Sequence, residues 1–231
     1  MNVAIVVAAG SGTRLGGNRP KQFLELGGIP IIIHALRQFE RCHDINEIVT
    51  VLPAEATAGF SSQAKAFGLR KLSRVVAGGE TRAQSVRHGL AAISDAEIVA
   101  VHDGVRPFVT PEEIARVVRA AKASGAAVLV ASVADTIKEV EGNRIVRTIS
   151  RSSLRRALTP QCFRLEILKR AYEALDQAEA AGVEVTDESF LVERLGVEIV
   201  AVEGSARNIK ITREEDLVLA EAIWESVVRG Q

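Results

Sequence analysis

Short runs of apolar, β-branched residues recur along the chain, separated by stretches in which apolar positions return every three or four residues. Val3–Ala8, Glu47–Leu52, Arg74–Ala77, Ile98–His102 and Ala126–Val133 read as strands, with helical stretches between them. This alternation predicts an α/β fold: a Rossmann-like, mostly parallel sheet with helices on both faces. Thr110-Pro111-Glu112-Glu113 carries a capping hydroxyl, a proline at the first helical position and a capping-box glutamate, and Gly125 stops that helix. Thr212-Arg213-Glu214-Glu215 predicts the same box before a last helix.

One stretch departs from the pattern. From Thr136 to Ser150 there is no helical period, and two strand-like arms flank Glu141-Gly142-Asn143, a hairpin turn. A polar hairpin cannot bury both faces on the parent core. It is expected to project as a β-arm over about residues 135–151 and to pack on a second subunit, giving a homodimer. No internal repeat, low-complexity tract or linker is evident, so residues 1–231 read as one domain with an arm.

Composition narrows the function classes. The 231 residues are 47% hydrophobic, enough for a sizeable core, and 29 basic residues balance 29 acidic ones. No net field draws the chain to nucleic acid or to an anionic membrane, so any basic function is local. Cys42 and Cys162 lie outside any CxxC pairing, and the N-terminus lacks a basic leader region, with an apolar run too short to span a bilayer. A cytoplasmic protein with reduced thiols is expected.

The candidate chemistry begins at the exit of the first strand, VVAAGSGTRLGGNRPKQF. Glycines at such an exit let backbone N–H groups approach an anion. A Walker A loop fails here, because Lys21 lies between proline and glutamine, and a dinucleotide fingerprint fails because Leu15 stands where its third glycine belongs. Arg14 and Lys21 within one short loop are either solvated surface cations or a pair that neutralises a triphosphate, as phosphoryl transfer requires. Asp103, at the end of the strand in VHDGVRP, is either a magnesium ligand or a turn aspartate capping local backbone. Gly78-Gly-Glu-Thr-Arg-Ala-Gln-Ser85 opens a helix with Arg82 and Ser85 one turn apart, suited to the edge of a flat base or simply to a capped helix. His102 reads as packed or turn-bound, and the four histidines show no metal-ligand spacing.

Taken together, AAGSGTRLGGNRPKQF, GGETRAQSV, HDGVRP, Asp135-Thr136, ALTPQ at 157–161, TDE at 186–188 and NIKIT at 208–212 resemble, in order and spacing, the 2-C-methyl-D-erythritol 4-phosphate cytidylyltransferase family. The resemblance implies transfer of CMP from CTP to methylerythritol phosphate with magnesium and release of pyrophosphate, in isoprenoid precursor synthesis. It implies that Ala8, Ala9, Gly10 and Gly12 line the nucleotide, with Arg14 and Lys21 stabilising the triphosphate in the transition state. Gly79, Arg82 and Ser85 would recognise cytosine, Asp103 would face metal and ribose, and Gly104 and Arg106 would complete that wall. Thr136, Arg151, Thr159, Thr186 and Lys210 would bind the sugar phosphate, Arg151 and Lys210 positioning its attack, with Arg151 acting in the neighbouring subunit of the dimer.

The chain departs from the family at Gly104-Val105, where two alanines are common, and at Ser150 and Arg155, where an aspartate and a tryptophan often stand. It ends soon after the last predicted helix, so the fused cyclodiphosphate synthase of some bifunctional relatives is not expected. Two rivals remain: a ribitol 5-phosphate cytidylyltransferase, and a nucleotide-binding module without catalysis.

Overall fold

The apolar runs of the sequence become strands of one central sheet, and their side chains divide between two cores. The computed structural model describes residues 1–10 and 20–229; Gly12 and Arg14 lie outside the described residues. In chain order the elements of the first half are β1 (Asn2–Val7), β2 (Glu25–Leu26), β3 (Ile29–Pro30), α1 (Ile31–Arg41), β4 (Glu47–Leu52), α2 (Ala54–Thr57), α3 (Phe60–Ala66), β5 (Leu72–Ala77), α4 (Arg82–Ala91), β6 (Ile98–Asp103) and α5 (Pro111–Ser124). The second half adds β7 (Ala126–Ser132), β8 (Ile137–Glu141), β9 (Arg144–Ile149), β10 (Arg155–Arg164), α6 (Leu165–Glu173), α7 (Leu175–Ala180), α8 (Glu188–Glu193), β11 (Val200–Glu203) and α9 (Glu214–Arg229).

Seven strands pair in the order β11-β7-β10-β6-β1-β4-β5. The pairs β1–β4, β1–β6, β4–β5 and β7–β11 are parallel. Alternate residues serve opposite faces. Ala4 and Val6 join Ile48, Leu52, Ile98 and Ala100 under α1, α3 and α5, whereas Val3, Ile5 and Val7 join Val49, Val51, Val99 and Val101 under α4, α6 and α8. Burial on both faces explains why these strands read as continuous apolar runs. Strand order reverses at β1, which takes β4 on one side and β6 on the other, so the carboxyl ends of β1 and β6 flank the crevice where open α/β sheets bind ligands.

β10, which the apolar pattern did not predict, runs antiparallel between β6 and β7. Its register passes from Ala157↔Val130 to Gln161↔Val128, so Leu158, Thr159 and Pro160 stand opposite Leu129 alone. A bulge is where a sheet interior tolerates proline, and it turns a side chain out of the ladder.

The hairpin expected around Gly142 is present: β8 and β9 form a separate two-stranded sheet, and Gly142 turns at φ +58°. Its apolar residues lie open, with Val140 58%, Ile145 61% and Val146 44% exposed. The box at Thr110 and Glu113 also forms, both hydrogen bonds being present. The one expected at Thr212 shifts by a residue: Asp216, not Glu215, reaches back to accept from the Thr212 and Arg213 N–H groups at 2.8 and 2.9 Å. The helix starts at Glu214, and position N3 therefore falls on the aspartate.

Gly125 ends α5 at φ +97°, and a Cβ there would sit 3.0 Å from Ile167 Cδ1. Gly125→Ala should lower stability by about 1 kcal/mol or more, read as the urea midpoint. An unchanged midpoint would show that the helix end relaxes freely.

Candidate active site

Backbone bonds lace the strand exits together. Ala8 N–H donates to Val51 O, Gly78 N–H to Leu52 O and Gly104 N–H to Val7 O, each at 2.8 Å. Glycine permits this approach at Gly78, where a Cβ would meet Ala9 Cβ at 2.2 Å. Gly104 has the same function, since its Cβ would lie 2.9 Å from Ala8 Cβ. It is a packing position between β1 and β6 rather than part of the cavity lining.

A cavity of about 440 Å³ opens over these exits. Its walls are Val7, Ala8, Ala9 and Gly10 after β1, Lys21 and Gln22 from a short turn, Gly79, Arg82 and Ser85 at the start of α4, and Asp103 and Lys210. Thr81 caps α4 by accepting from Gln84 N–H, and Ser85 Oγ accepts from Gly79 N–H at 3.1 Å while donating to Thr81 O at 2.9 Å. A smaller cavity of about 110 Å³ adjoins, lined by Arg106, Thr159, Gln161, Thr186 and Asp187. Arg82, Asp103 and Lys210 line both, so these three side chains form the partition.

Asp103 holds the partition together. It is 5% exposed and takes three cations: Arg82 Nε at 3.0 Å on Oδ1, and Lys210 Nζ at 3.1 Å and Arg106 Nε at 3.2 Å on Oδ2. Burial alone would raise its pKa, but Arg82, Lys210 and Arg106 outweigh burial and hold the carboxyl well below the usual range. Arg82 in turn binds Glu188 through both Nη atoms, at 2.7 and 3.0 Å, and Tyr172 donates to the same glutamate at 3.0 Å. Burial would lower the Arg82 pKa, yet Glu188 and Asp103 raise it well above the ordinary value. Arg82, Arg106 and Lys210 set against Asp103 and Glu188 leave one positive charge over at the partition itself, while Asp187 adds a carboxylate to the smaller cavity.

This environment does not fit a magnesium ion held by Asp103, the ligand expected from the sequence, because both carboxylate oxygens already face cations. Among the described residues no group of three His, Cys, Asp or Glu side chains could hold a metal ion.

The bulge in β10 delivers Thr159 to this centre. Asp103 N–H donates to Thr159 Oγ1 at 3.2 Å, Thr159 Oγ1 lies 2.9 Å from His102 Nδ1, and His102 Nε2 lies 3.1 Å from Arg106 O. A carbonyl accepts only, so Nε2 carries the hydrogen, Nδ1 accepts from Thr159, and the chain has one direction. The Thr159 hydroxyl is thereby committed to fixing Asp103.

Other expected residues fall differently. Arg106 lines the smaller cavity rather than the larger. Arg82 lines both cavities, but its guanidinium is engaged by two carboxylates. Thr136 and Arg151 are exposed at the base of the arm, outside both cavities, with Arg151 donating to Ala134 O. Sequence reasoning missed Gln22, Tyr172, Glu188 and Asn208. Glu188 in TDE, Gln22 in PKQF and Asn208 in NIKIT each lay inside a quoted motif, whereas nothing in the sequence marked Tyr172.

His102 is buried and its pKa falls from 6.5 to about 4, mainly through burial. Its folded-state value lies below the unfolded one, so its contribution is intact above pH 6.5 and is lost as pH falls toward about 4. Relative to His102→Gln, wild type should lose about 2 kcal/mol between about pH 7.5 and about pH 5 in urea titrations. Parallel pH curves would mean that His102 is not held neutral.

Comparison with known proteins places this geometry. Residues 2–226 match the family model described as 2-C-methyl-D-erythritol 4-phosphate cytidylyltransferase. Proteins of that name from Rubrobacter xylanophilus and Geobacillus kaustophilus are 45% and 44% identical, each over 96% of this chain and over 94% and 96% of their own lengths. The chain also resembles the crystal structure of the Thermus thermophilus cytidylyltransferase, with TM-score 0.76 and 37% identity over 96% of this chain and 98% of that one. It resembles the 4-diphosphocytidyl-2C-methyl-D-erythritol synthase of Anaerococcus prevotii, with TM-score 0.82 and 29% identity over 97% and 96%. With its two adjoining cavities at the carboxyl ends of β1 and β6, the chain belongs to the 2-C-methyl-D-erythritol 4-phosphate cytidylyltransferase family.

Proposed function

We propose that the larger cavity takes CTP and the smaller one the phosphate of methylerythritol phosphate, so that the family's reaction runs across the partition of Arg82, Asp103 and Lys210. That shared wall is the observation on which the reading rests. Transfer of CMP needs the acceptor phosphate oxygen beside the α-phosphorus of CTP. A bond forms between them, the bond from the α-phosphorus to the bridging oxygen breaks, and pyrophosphate leaves with that electron pair. Little covalent chemistry falls to the protein; positioning and charge stabilisation carry the rate.

Lys21, in the wall beside Gly10, supplies positive charge where the triphosphate lies, and Arg14 from the same loop is assigned the same task. Lys210 and Arg106, with Thr186, face the acceptor phosphate. Asp103 keeps these cations apart and oriented, and its free lone pairs suit a hydroxyl of ribose or polyol. A divalent ion that accompanies the nucleotide would be held by phosphate oxygens, given the cations around Asp103.

Arg151 and Thr136 reach neither cavity of their own chain, and the arm that precedes Arg151 exposes Val140, Ile145 and Val146. A homodimer in which each arm lies on its partner would cover those residues and carry Arg151 to the partner's acceptor cavity. With balanced charge and no helix among the described residues long and apolar enough to cross a membrane, neither nucleic acid nor bilayer is assigned as a partner.

The acceptor is tested by supplying CTP with each polyol phosphate and following pyrophosphate. Methylerythritol phosphate should turn over fastest; faster turnover of ribitol 5-phosphate would reassign the acceptor, and release with neither would leave only nucleotide binding. For the shared site, Lys21→Ala and Arg151→Ala should each be inactive, yet mixed heterodimers should regain activity because one of their two sites is intact. Verified heterodimers that stay inactive would place Arg151 in its own subunit's site.

A further inference from the structure

Three buried amide side chains share one arrangement: Asn2, at the amino end of β1 away from the cavities, donates to Asp44 O at 2.6 Å, whereas Gln22 and Asn208 lie at the cavities and have no part in the chemistry above. Gln22 is 1% exposed; its Nε2 donates to Gly10 O at 3.2 Å, and its Oε1 has no partner among the described residues. Asn208 is 0% exposed; its Nδ2 donates to Thr159 O at 2.9 Å, and its Oδ1 has no partner among them either. Turning either amide over would set its oxygen against a carbonyl, so the nitrogen stays where it is. A buried unpaired acceptor costs stability, and an apolar side chain of similar size would avoid that cost. What each amide holds is therefore the reason to look for a function.

Each holds a different cavity wall. Gly10 follows β1 in the wall of the larger cavity, and Gln22 directly follows Lys21, so its hydrogen bond clamps the lysine-bearing turn to the strand exit. Asn208 acts on the smaller cavity from three directions. Its side chain holds the Thr159 carbonyl, its own carbonyl accepts from Arg106 Nη1 at 2.9 Å, and Lys210 follows two residues later. The two amides share no hydrogen-bond partner, so their effects should separate.

We propose that Gln22 and Asn208 are positioning residues of separate substrates, Gln22 setting the wall that meets the nucleotide and Asn208 the wall that meets the acceptor phosphate. The inference rests on the assignment of CTP to the larger cavity and the acceptor phosphate to the smaller. Neither residue touches reacting atoms. Each acts through the groups it orients: Gly10 and Lys21 in one case, Thr159, Arg106 and Lys210 in the other.

The test is a pair of size-matched apolar variants, Gln22→Met and Asn208→Leu, with steady-state constants for both substrates and thermal melts as the check on folding. Gln22→Met should raise KM for CTP about tenfold and leave KM for the acceptor within about twofold; Asn208→Leu should do the reverse. Calorimetric Kd for CTP should follow the same division. A merely structural role would shift Tm while moving both KM values together or neither, and either result in a folded variant overturns the proposal. Should an apolar variant not fold, Gln22→Glu or Asn208→Asp, which keep the shape but lose the N–H donor, are read by the same criterion. Wild type without turnover on CTP and methylerythritol phosphate would instead overturn the cavity assignment.

Discussion

A carboxylate taken out of water must be matched by charge, and Asp103 is matched three times over. Its partners come from places far apart in the chain: Arg82 opens α4, Arg106 follows β6, and Lys210 precedes α9. Through Arg82 the same network reaches Glu188 in α8 and Tyr172 in α6. One buried negative charge thus draws five segments to the carboxyl ends of the sheet. Removing it would leave three cations facing one another in a poorly solvated crevice, with a cost well beyond that of the hydrogen bonds lost.

The position of that charge follows from strand order. β1 and β6 are parallel neighbours at the reversal, so their exits lie side by side and Val7 pairs with Asp103. The antiparallel β10 then enters next to β6, and its bulge hands Thr159 to the Asp103 backbone. Fixing Asp103 through its N–H leaves both side-chain oxygens for cations. The run from Asp103 N–H through Thr159 to His102 and the Arg106 carbonyl has a single direction, since a neutral, buried imidazole can donate from only one nitrogen.

Much of this was legible in the sequence because the relevant forces are local. Buried parallel strands must be apolar, and the Thr110 box satisfies backbone groups within four residues. Lys21 and Asp103 stand out only through the family resemblance of motifs in register, since each alone reads equally as a surface cation or a turn aspartate. β10 escaped notice because a proline and polar ends hide its buried middle, and it is held in the sheet by neighbours that no local pattern reveals. The engagement of Arg82 escaped for the same reason: Glu188 lies 106 positions away. The tight approach of Gly104 to Ala8 is a further contact that no local pattern reveals. For β10 and Arg82 the deciding interactions are long-range, whereas the shift of the Thr212 box to Asp216 is decided within four residues.

The three cations on Asp103 are not equally held. Arg82 is anchored at both ends by carboxylates, and Arg106 is tied to both Asp103 and the Asn208 carbonyl; their side chains are 25% and 12% exposed. Lys210, with a side chain 36% exposed, meets the carboxylate through a single ammonium on a flexible stem. An arginine fork swung toward a phosphate would abandon several directed bonds, whereas an ammonium can turn between two anions with one contact exchanged. Lys210 is therefore the cation that an anion entering between the cavities can recruit at least cost. The two arginines keep Asp103 compensated while it does so, with Arg82 also matching the buried Glu188.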